Sequence, residues 1–295
     1  MEIRQLQTFL AIVGAGTYAL AAERMGYTQP TLTAHIQALE RELKVRLFDR
    51  LGHRIRLTRE GERFFCYAER IIKLAAEAVD AVSPERNTGG KIILGASETF
   101  SVVHLPMLLR EFRREYPDID IELRFGDIAK FQEDLKNNTI DIAFILAGEI
   151  VHSSLTTELL CPEPMSLIVS PEHSYARQSA ICVADFQSEN FIVTQEGCAY
   201  REFIEKLLES NQIKPRSFMK VKNIEAIKQF VISGLGLAIL PQIYVEKEVA
   251  AKILAELPWC GPEFGMYTQL AYHKDKWLSP AVASFVELTR ARLTS

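Results

Sequence analysis

The sequence predicts an α/β protein in three parts: a small helical module at the N-terminus, one long helix, and a larger body of alternating strands and helices. Three observations carry this reading. Helix caps and breakers crowd the residues before Arg59; apolar residues between Arg59 and Val82 recur at alternating steps of four and three; and from Lys91 onward short apolar runs alternate with amphipathic stretches. A length of 295 residues exceeds one ordinary domain and allows a small module beside a larger core.

In the first module a short helix is expected over Ala19 to Met25, stopped by Gly26. Thr28 is placed to cap a second helix, whose first turn tolerates Pro30. Leu32, Ile36, Leu39 and Leu43 then share one apolar stripe of that helix. Pro30, Thr31, Ala34, Gln37 and Ala38 lie away from the stripe, Thr33 and His35 flank it, and Gln29 stands at the exposed start. This small, polar, nearly uncharged surface suits a DNA major groove. Gln29 can bond bidentately to adenine, and Thr28, Thr31 and Thr33 can reach bases, phosphates or a thymine methyl. From Arg41 to Arg59 seven basic residues oppose two acidic ones, a local charge of +5 that suits phosphates. The whole pattern reads as a winged helix-turn-helix with double-stranded DNA as its partner.

Between Arg59 and Val82 the residues Phe64, Ala68, Ile71, Ala75, Ala78 and Val82 form a heptad seam. Periodicity alone leaves two readings open: a helix packed on its own domain, or one paired with a second helix. Ser83-Pro84 should end it, with a polar hinge over Glu85 to Gly90.

In the body, KIILGAS reads as a strand, VVHLPMLLREFRREY as a helix, IDIELRFG as a strand, FQEDLKNN as a helix and DIAFIL as a strand. PMSLIVS, NFIVTQ, AYREFIEKLLESN, IEAIKQFVISG and LAILPQ repeat the theme, and YTQLAYHK with Pro280 to Leu293 should return to the first lobe. Two strand-to-helix junctions, Ser97 to Phe100 and Gly197 to Arg201, offer helix N-terminal amides and hydroxyls fit for a carboxylate or other anion. Each hydroxyl could equally cap its own helix. Glu98 would repel a simple anion unless it points away or the ligand also carries an amine.

The run AAERMGYTQPTLTAHIQALERELKVRLFDR, followed by RIRLTREG, closely resembles the N-terminal domain of LysR-type transcriptional regulators. The resemblance begins at MEIRQLQTFLAIVGAGTY and continues more loosely along the remaining chain. It implies a DNA-binding domain over residues 1–58, a linker helix and hinge over 59–90, and an effector-binding domain over 91–295. That domain would be two-lobed, of periplasmic-binding-protein type, with lobe 1 at about 91–161 and 268–295 and lobe 2 at about 162–267. Thr28, Gln29, Pro30, Thr31 and Thr33 would contact DNA, as would Arg50, Arg54 and Arg56 of a wing turning at Leu51-Gly52-His53. Ala34 and His35 fall at family contact positions but depart from its usual Arg and Gln, and Leu20 replaces a frequent polar residue, so sequence preference should differ. The linker would pair two subunits into a homodimer, and the family assembles further into homotetramers that can meet the transcription machinery. Ser97, Thr99, Phe100, Gly197, Cys198, Tyr200 and Arg201 would line the effector cleft. The effector would be a small, anionic metabolite modulating operator binding or bending.

Charge is uneven: residues Met1 to Asn87 carry a net +2 and the remainder −6, within a total of −4. Only the N-terminal part suits a polyanion, and local fields decide within a Debye length of roughly 8 Å. With no signal-peptide pattern and no apolar run near the roughly 20 residues of a membrane span, a cytoplasmic protein is expected. Cys66, Cys161, Cys182, Cys198 and Cys260 are widely spaced, so reduced thiols without a metal site are the expectation. A redox sensor built on Cys198, at a helix start near Arg201, is the alternative. No cofactor beyond the effector is implied. No enzyme is indicated either: VISGLGLAILP lacks dinucleotide-binding spacing, and the six histidines form no close pair.

Overall fold

The computed structural model describes residues 1–51, 54–82 and 90–294. Gly52 and His53 of the expected wing turn, and the hinge before Gly90, lie outside the described residues. The chain forms two compact units, one built on Met1–Arg86 with Asn137–Thr139, the other on Asn87–Lys136 with Ile140–Ser295.

The first unit begins with α1 (Ile3–Ala15), α2 (Tyr18–Met25) and α3 (Gln29–Leu43). Thr17 caps α2 by accepting from Leu20 N at 3.2 Å, so this helix starts one residue earlier than Ala19. Gly26 closes it at φ +67° and Thr28 caps α3. β1 (Phe48–Leu51) and β2 (Arg54–Leu57) pair antiparallel with Leu51 opposite Arg54. Leu6, Phe9 and Ile12 of α1 close over Leu32, Ile36 and Leu39 of α3 to make the core.

The long helix α4 (Arg59–Val82) follows β2 directly. Its first turn presses on the core so closely that a Cβ on Gly61 would sit 2.1 Å from the Leu47 carbonyl oxygen. Here the heptad seam divides. Ala68 is fully buried, and Phe64 and Ile71 pack on the core of their own unit. The apolar residues left exposed are instead Tyr67, Leu74 and Val79. The expected seam is therefore corrected over its first half: those positions fold the unit, and the face open to a partner lies to one side.

The second unit runs β3 (Gly90–Ala96), α5 (Glu98–Val103), α6 (Leu105–Glu115), β4 (Ile119–Phe125), α7 (Ile128–Lys136), β5 (Ile142–Ala147) and β6 (Leu155–Pro162). It continues through β7 (Met165–Val169), β8 (Asn190–Val193), α8 (Ala199–Ser210), β9 (Ser217–Lys220), α9 (Ile224–Ile232), β10 (Ala238–Pro241), α10 (Gln242–Ala250), β11 (Ala255–Glu256), β12 (Tyr267–His273) and α11 (Pro280–Leu293). The expected single helix after Ser97 is two. Pro106, lacking an amide hydrogen, is tolerated in the first turn of α6, which leaves His104 at the corner.

Lobe 1 is a five-stranded sheet in the order β4-β3-β5-β12-β6, parallel among β3, β4 and β5 and antiparallel where β12 returns. Phe112 of α6 and Phe285 of α11 meet edge-to-face on one side of it, 5.0 Å between centroids. Lobe 2 carries the sheets β10-β7-β11 and β8-β9. The chain crosses between lobes twice, after β6 and before β12, and Glu163 N donates to Met266 O at 2.8 Å to staple the crossings. β6, β9 and β11 escaped the sequence reading because they are edge strands without a clean apolar alternation, β9 being exposed along its whole length and β11 only two residues long.

Cys182 and Cys260, separated by 78 residues, form a disulfide, which corrects the expectation of reduced thiols throughout. A bridge between Ile181 and Trp259 sets these cysteines side by side, a non-local pairing that spacing cannot reveal. Cys66, Cys161 and Cys198 remain free.

Candidate DNA interface and effector cleft

On α3 the side away from the core presents Gln29, Pro30, Ala34 and Gln37 to solvent. The threonines are partly engaged. Thr28 Oγ1 accepts from Thr31 N at 3.4 Å and shares a hydrogen bond with Thr31 Oγ1 at 2.8 Å, while Thr33 Oγ1 donates to Gln29 O at 3.0 Å. Their lone pairs stay available, but their rotamers are set by α3 itself. His35 is half-buried, its Nδ1 2.9 Å from Thr8 Oγ1 of α1, so it fastens α3 to α1 through one ring nitrogen. Arg56 on β2 is exposed, as are Arg41 in the last turn of α3 and Lys44 and Arg46 between α3 and the wing. Arg50 and Arg54 lie on the wing strands by backbone, and their side chains are outside the described residues.

In the second unit a cavity of about 110 Å³ opens between the two lobes. Lobe 1 contributes Ser97, Glu98, Thr99, Asp127, Ile145 and Leu146; lobe 2 contributes Thr194, Glu196, Gly197, Cys198, Tyr200 and Lys222. Of the seven residues expected there, Ser97, Thr99, Gly197, Cys198 and Tyr200 line it. Two do not. Phe100 is buried in lobe 1, stacked on Phe144 at 4.1 Å between centroids. Arg201 is only 4% exposed and turns into lobe 2. Its Nη1 donates to Thr194 O at 2.9 Å, its Nε to Glu205 at 2.8 Å, and Nη2 pairs with Glu196 at 3.6 Å. The guanidinium braces the β8–α8 junction; it does not offer charge to a ligand.

Helix starts converge on this cavity from both lobes. Ser97 Oγ accepts from Phe100 N at 3.3 Å, Asp127 Oδ1 from Lys130 N at 2.8 Å, and Asn223 Oδ1 from Ala226 N at 2.8 Å, so α5, α7 and α9 are capped by their own side chains. α8 has no such well-formed cap: Cys198 occupies the position, and only its sulfur stands near the first amides. Beside it the Thr194 hydroxyl, at the end of β8, is buried and poorly aligned with its neighbours Cys198 and Tyr200. Glu98 Oε1 accepts from Asn223 Nδ2 at 3.2 Å, joining the lobes and turning that carboxylate to a partner. Gly197 adopts φ +85°, and a Cβ there would stand 2.8 Å from that of Asp127, so the lobes touch where only glycine fits.

Burial dominates the titration of the cavity wall. It pushes the Cys198 thiol above its ordinary value and the Tyr200 phenol well above its own. A thiol shifted this way is protonated at neutral pH, the opposite of the thiolate a peroxide sensor requires. Thr194, Asp127 and Lys222 were missed from sequence. The signal was present in FGDI and KNIE, each a turn with a capping residue before a helix, like the two junctions that were noticed.

Comparison with known proteins bears on both domains. Residues 3–62 match the model for a bacterial regulatory helix-turn-helix protein of the lysR family, and residues 85–294 match the LysR substrate binding domain. The chain belongs to the LysR family of transcriptional regulators. A Bacillus subtilis relative, the uncharacterized HTH-type transcriptional regulator YwqM, is 34% identical over 98% of this chain and 99% of its own. A probable RuBisCO transcriptional regulator of Cyanophora paradoxa is 32% identical over 88% of this chain and 81% of its own. Among solved structures, full-length CbnR complexed with its target DNA has a TM-score of 0.71 at 26% identity, covering 99% of both chains. The CcmR regulatory domain of Synechocystis PCC6803 in complex with 2-PG has a TM-score of 0.62 at 24% identity, covering 69% of this chain and 97% of that one. LysR regulators bind operator DNA and small-molecule effectors and form oligomers, and this LysR protein carries the domains for both kinds of ligand. Its relatives are transcriptional regulators, not enzymes. Among the described residues no helix is long and apolar enough to cross a membrane.

Proposed function

We propose that this LysR regulator acts in the cytoplasm and changes its binding or bending of operator DNA when a small metabolite bearing an anionic group occupies the interlobe cavity. One observation carries the reading: α8 opens into the cavity without a well-formed side-chain cap, only the Cys198 sulfur standing near its first amides, beside a buried Thr194 hydroxyl that is poorly aligned with its neighbours Cys198 and Tyr200. Helix N-terminal amides without a full cap attract an anion, and a poorly aligned hydroxyl is satisfied by the same ligand. Ser97 and Thr99 face it from lobe 1, while Lys222 supplies the positive charge that Arg201 does not. A volume of about 110 Å³ restricts the site to a small ligand. The CcmR regulatory domain, which shares this fold, has been solved in complex with 2-PG.

On the DNA side the proposed contacts are Thr28, Gln29, Pro30, Thr31, Thr33 and Ala34 of α3, with His35 at its flank and Arg50, Arg54 and Arg56 of the wing on phosphates or the minor groove. The dimer is proposed to form through the exposed side of α4, and to assemble further into a tetramer.

The test uses the full-length chain, screened with 2-PG and a panel of small carboxylates and phosphates for protection against thermal unfolding. Thr194→Val, which removes the hydroxyl at constant shape, should weaken a protecting anion by about 1.5–3 kcal/mol, at least roughly tenfold, and leave the ligand-free DNA footprint intact. An unchanged affinity in that variant, or protection by uncharged compounds alone, would remove the anion from this cavity.

A further inference from the structure

Away from the cavity, at the lobe crossing, lies a cluster that neither DNA binding nor the effector cleft uses. His104 stands at the corner between α5 and α6, Cys161 near the end of β6, and Glu163 on the crossing strand. Their ligand atoms all lie within 4.8 Å of one another. His104 Nε2 is 3.0 Å from Glu163 Oε1, and Cys161 Sγ is 3.7 Å from the same oxygen. Glu163 is 5% exposed, a carboxylate held inside the protein, and Thr268 Oγ1 of β12 donates to it at 2.6 Å.

We propose that His104, Cys161 and Glu163 form a binding site for a divalent transition-metal ion, zinc being the best match.

The donor set is one imidazole nitrogen, one sulfur and one carboxylate oxygen, the three ligand types zinc takes in proteins. Tetrahedral zinc with bonds of about 2.0 Å to nitrogen or oxygen and about 2.3 Å to sulfur separates N from O by roughly 3.3 Å and S from O by roughly 3.5 Å. The observed 3.0 and 3.7 Å differ from these by a few tenths of an ångström, within the reach of side-chain adjustment. On binding, the Cys161 thiol releases its proton to solvent and the thiolate enters the metal bond, with no change of oxidation state. Three protein ligands leave the fourth position to water. Thr268 stays as the outer partner orienting the carboxylate, and the Phe100 ring, centred 5.5 Å from that of His104, restrains the imidazole.

Location gives the ion a consequence. α5 runs from the cavity residues Ser97 to Thr99 directly to His104, and Glu163 sits where its amide staples the two interlobe strands. A metal joining these points would fix the crossing and one end of a cavity helix. The site stands on its own geometry and does not depend on which metabolite fills the cavity.

The test is titration of chelator-treated, reduced full-length protein with Co²⁺, followed by Zn²⁺ competition. The expected result is a one-to-one cobalt complex with a thiolate-to-metal charge-transfer band in the near ultraviolet and tetrahedral ligand-field bands, both erased by zinc. Cys161→Ser should abolish the charge-transfer band, His104→Gln should weaken binding by at least roughly tenfold, and Cys66→Ser, on the linker helix, should change neither. Wild-type protein showing no stoichiometric complex would overturn the proposal without reference to any variant's folding. So would a thiolate band that survives in Cys161→Ser, since the ion would then sit on another thiol instead: Cys66, Cys198 or the pair Cys182 and Cys260 that reduction opens.

Discussion

At Gly197 the two lobes come within a methyl group of collision. The residue has φ +85°, and an added Cβ would meet the Asp127 side chain at 2.8 Å. Gly197→Ala should therefore cost about 1–2 kcal/mol for the backbone alone and also hold the lobes apart. Calorimetry with the protecting metabolite should show weaker binding, whereas DNA affinity without ligand should stay near wild type; an unaffected ligand affinity would mean the lobes do not close here. Arg201 teaches the complementary lesson. As a charge at a helix start it looked like a ligand contact, yet its hydrogen bonds to Thr194 and Glu205 spend it inside lobe 2. Sequence marks a charged residue but not the direction of its side chain. The Gln29 side chain has no such hydrogen bond among the described residues and stands exposed on the first turn of α3. Gln29→Ala is expected to lose roughly 1–3 kcal/mol on a cognate duplex and little on random DNA, measured by anisotropy at fixed salt. Equal loss on both would exclude it from base reading.

Single elements show how one periodicity serves two surfaces. Along α4 the seam of Phe64, Ala68 and Ile71 is spent on its own unit, and Tyr67, Leu74 and Val79 are what remain outside. Leu74 is 62% exposed, an apolar side chain on a helix of 24 residues. Leu74→Glu is accordingly predicted to lower the oligomeric state by light scattering at micromolar concentration while leaving the thermal stability of the N-terminal unit nearly unchanged. Ile71→Glu, by contrast, should destabilise that unit itself, because it forces a charge against a packed core. The reverse pattern would restore Ile71 to the intersubunit seam. The break between α5 and α6 is also an element-scale event, and it leaves His104 facing Glu163.

The chain's last helix closes the molecule's connectivity. α11 lies on the first lobe's sheet, and Arg290 forms a two-pronged pair with Glu158 of β6, at 2.7 Å from Nε and 2.6 Å from Nη2, across 132 residues. The hydrogen bonds from Arg290 outweigh partial burial and hold Glu158 below its ordinary 4.5, so the folded pKa is lower than the unfolded one. The stabilisation is then complete above 4.5 and disappears as pH falls through the lowered folded value, Arg290 staying charged throughout. With both groups about a third exposed, Glu158→Gln should cost about 1 kcal/mol at neutral pH. Urea unfolding of the two proteins should converge at strongly acidic pH, and a difference that persists there would assign the effect to packing.

Much of the architecture was legible in order along the chain, because local chemistry wrote it. Thr28, Pro30 and the stripe from Leu32 to Leu43 specify α3 by capping and helical period, and the apolar runs of β3, β5 and β7 specify strands that both faces bury. The family resemblance and the expectation of a DNA-reading helix followed from those same residues. Tertiary structure alone decided which hydroxyl is left poorly aligned at Thr194, where Arg201 points, that Cys182 meets Cys260, and that His104 meets Cys161 and Glu163. Each of these is a relation between side chains brought together by separate elements. Helix and strand signals act over a few residues, whereas the distances that make a cavity, a disulfide or a metal site depend on how whole elements pack.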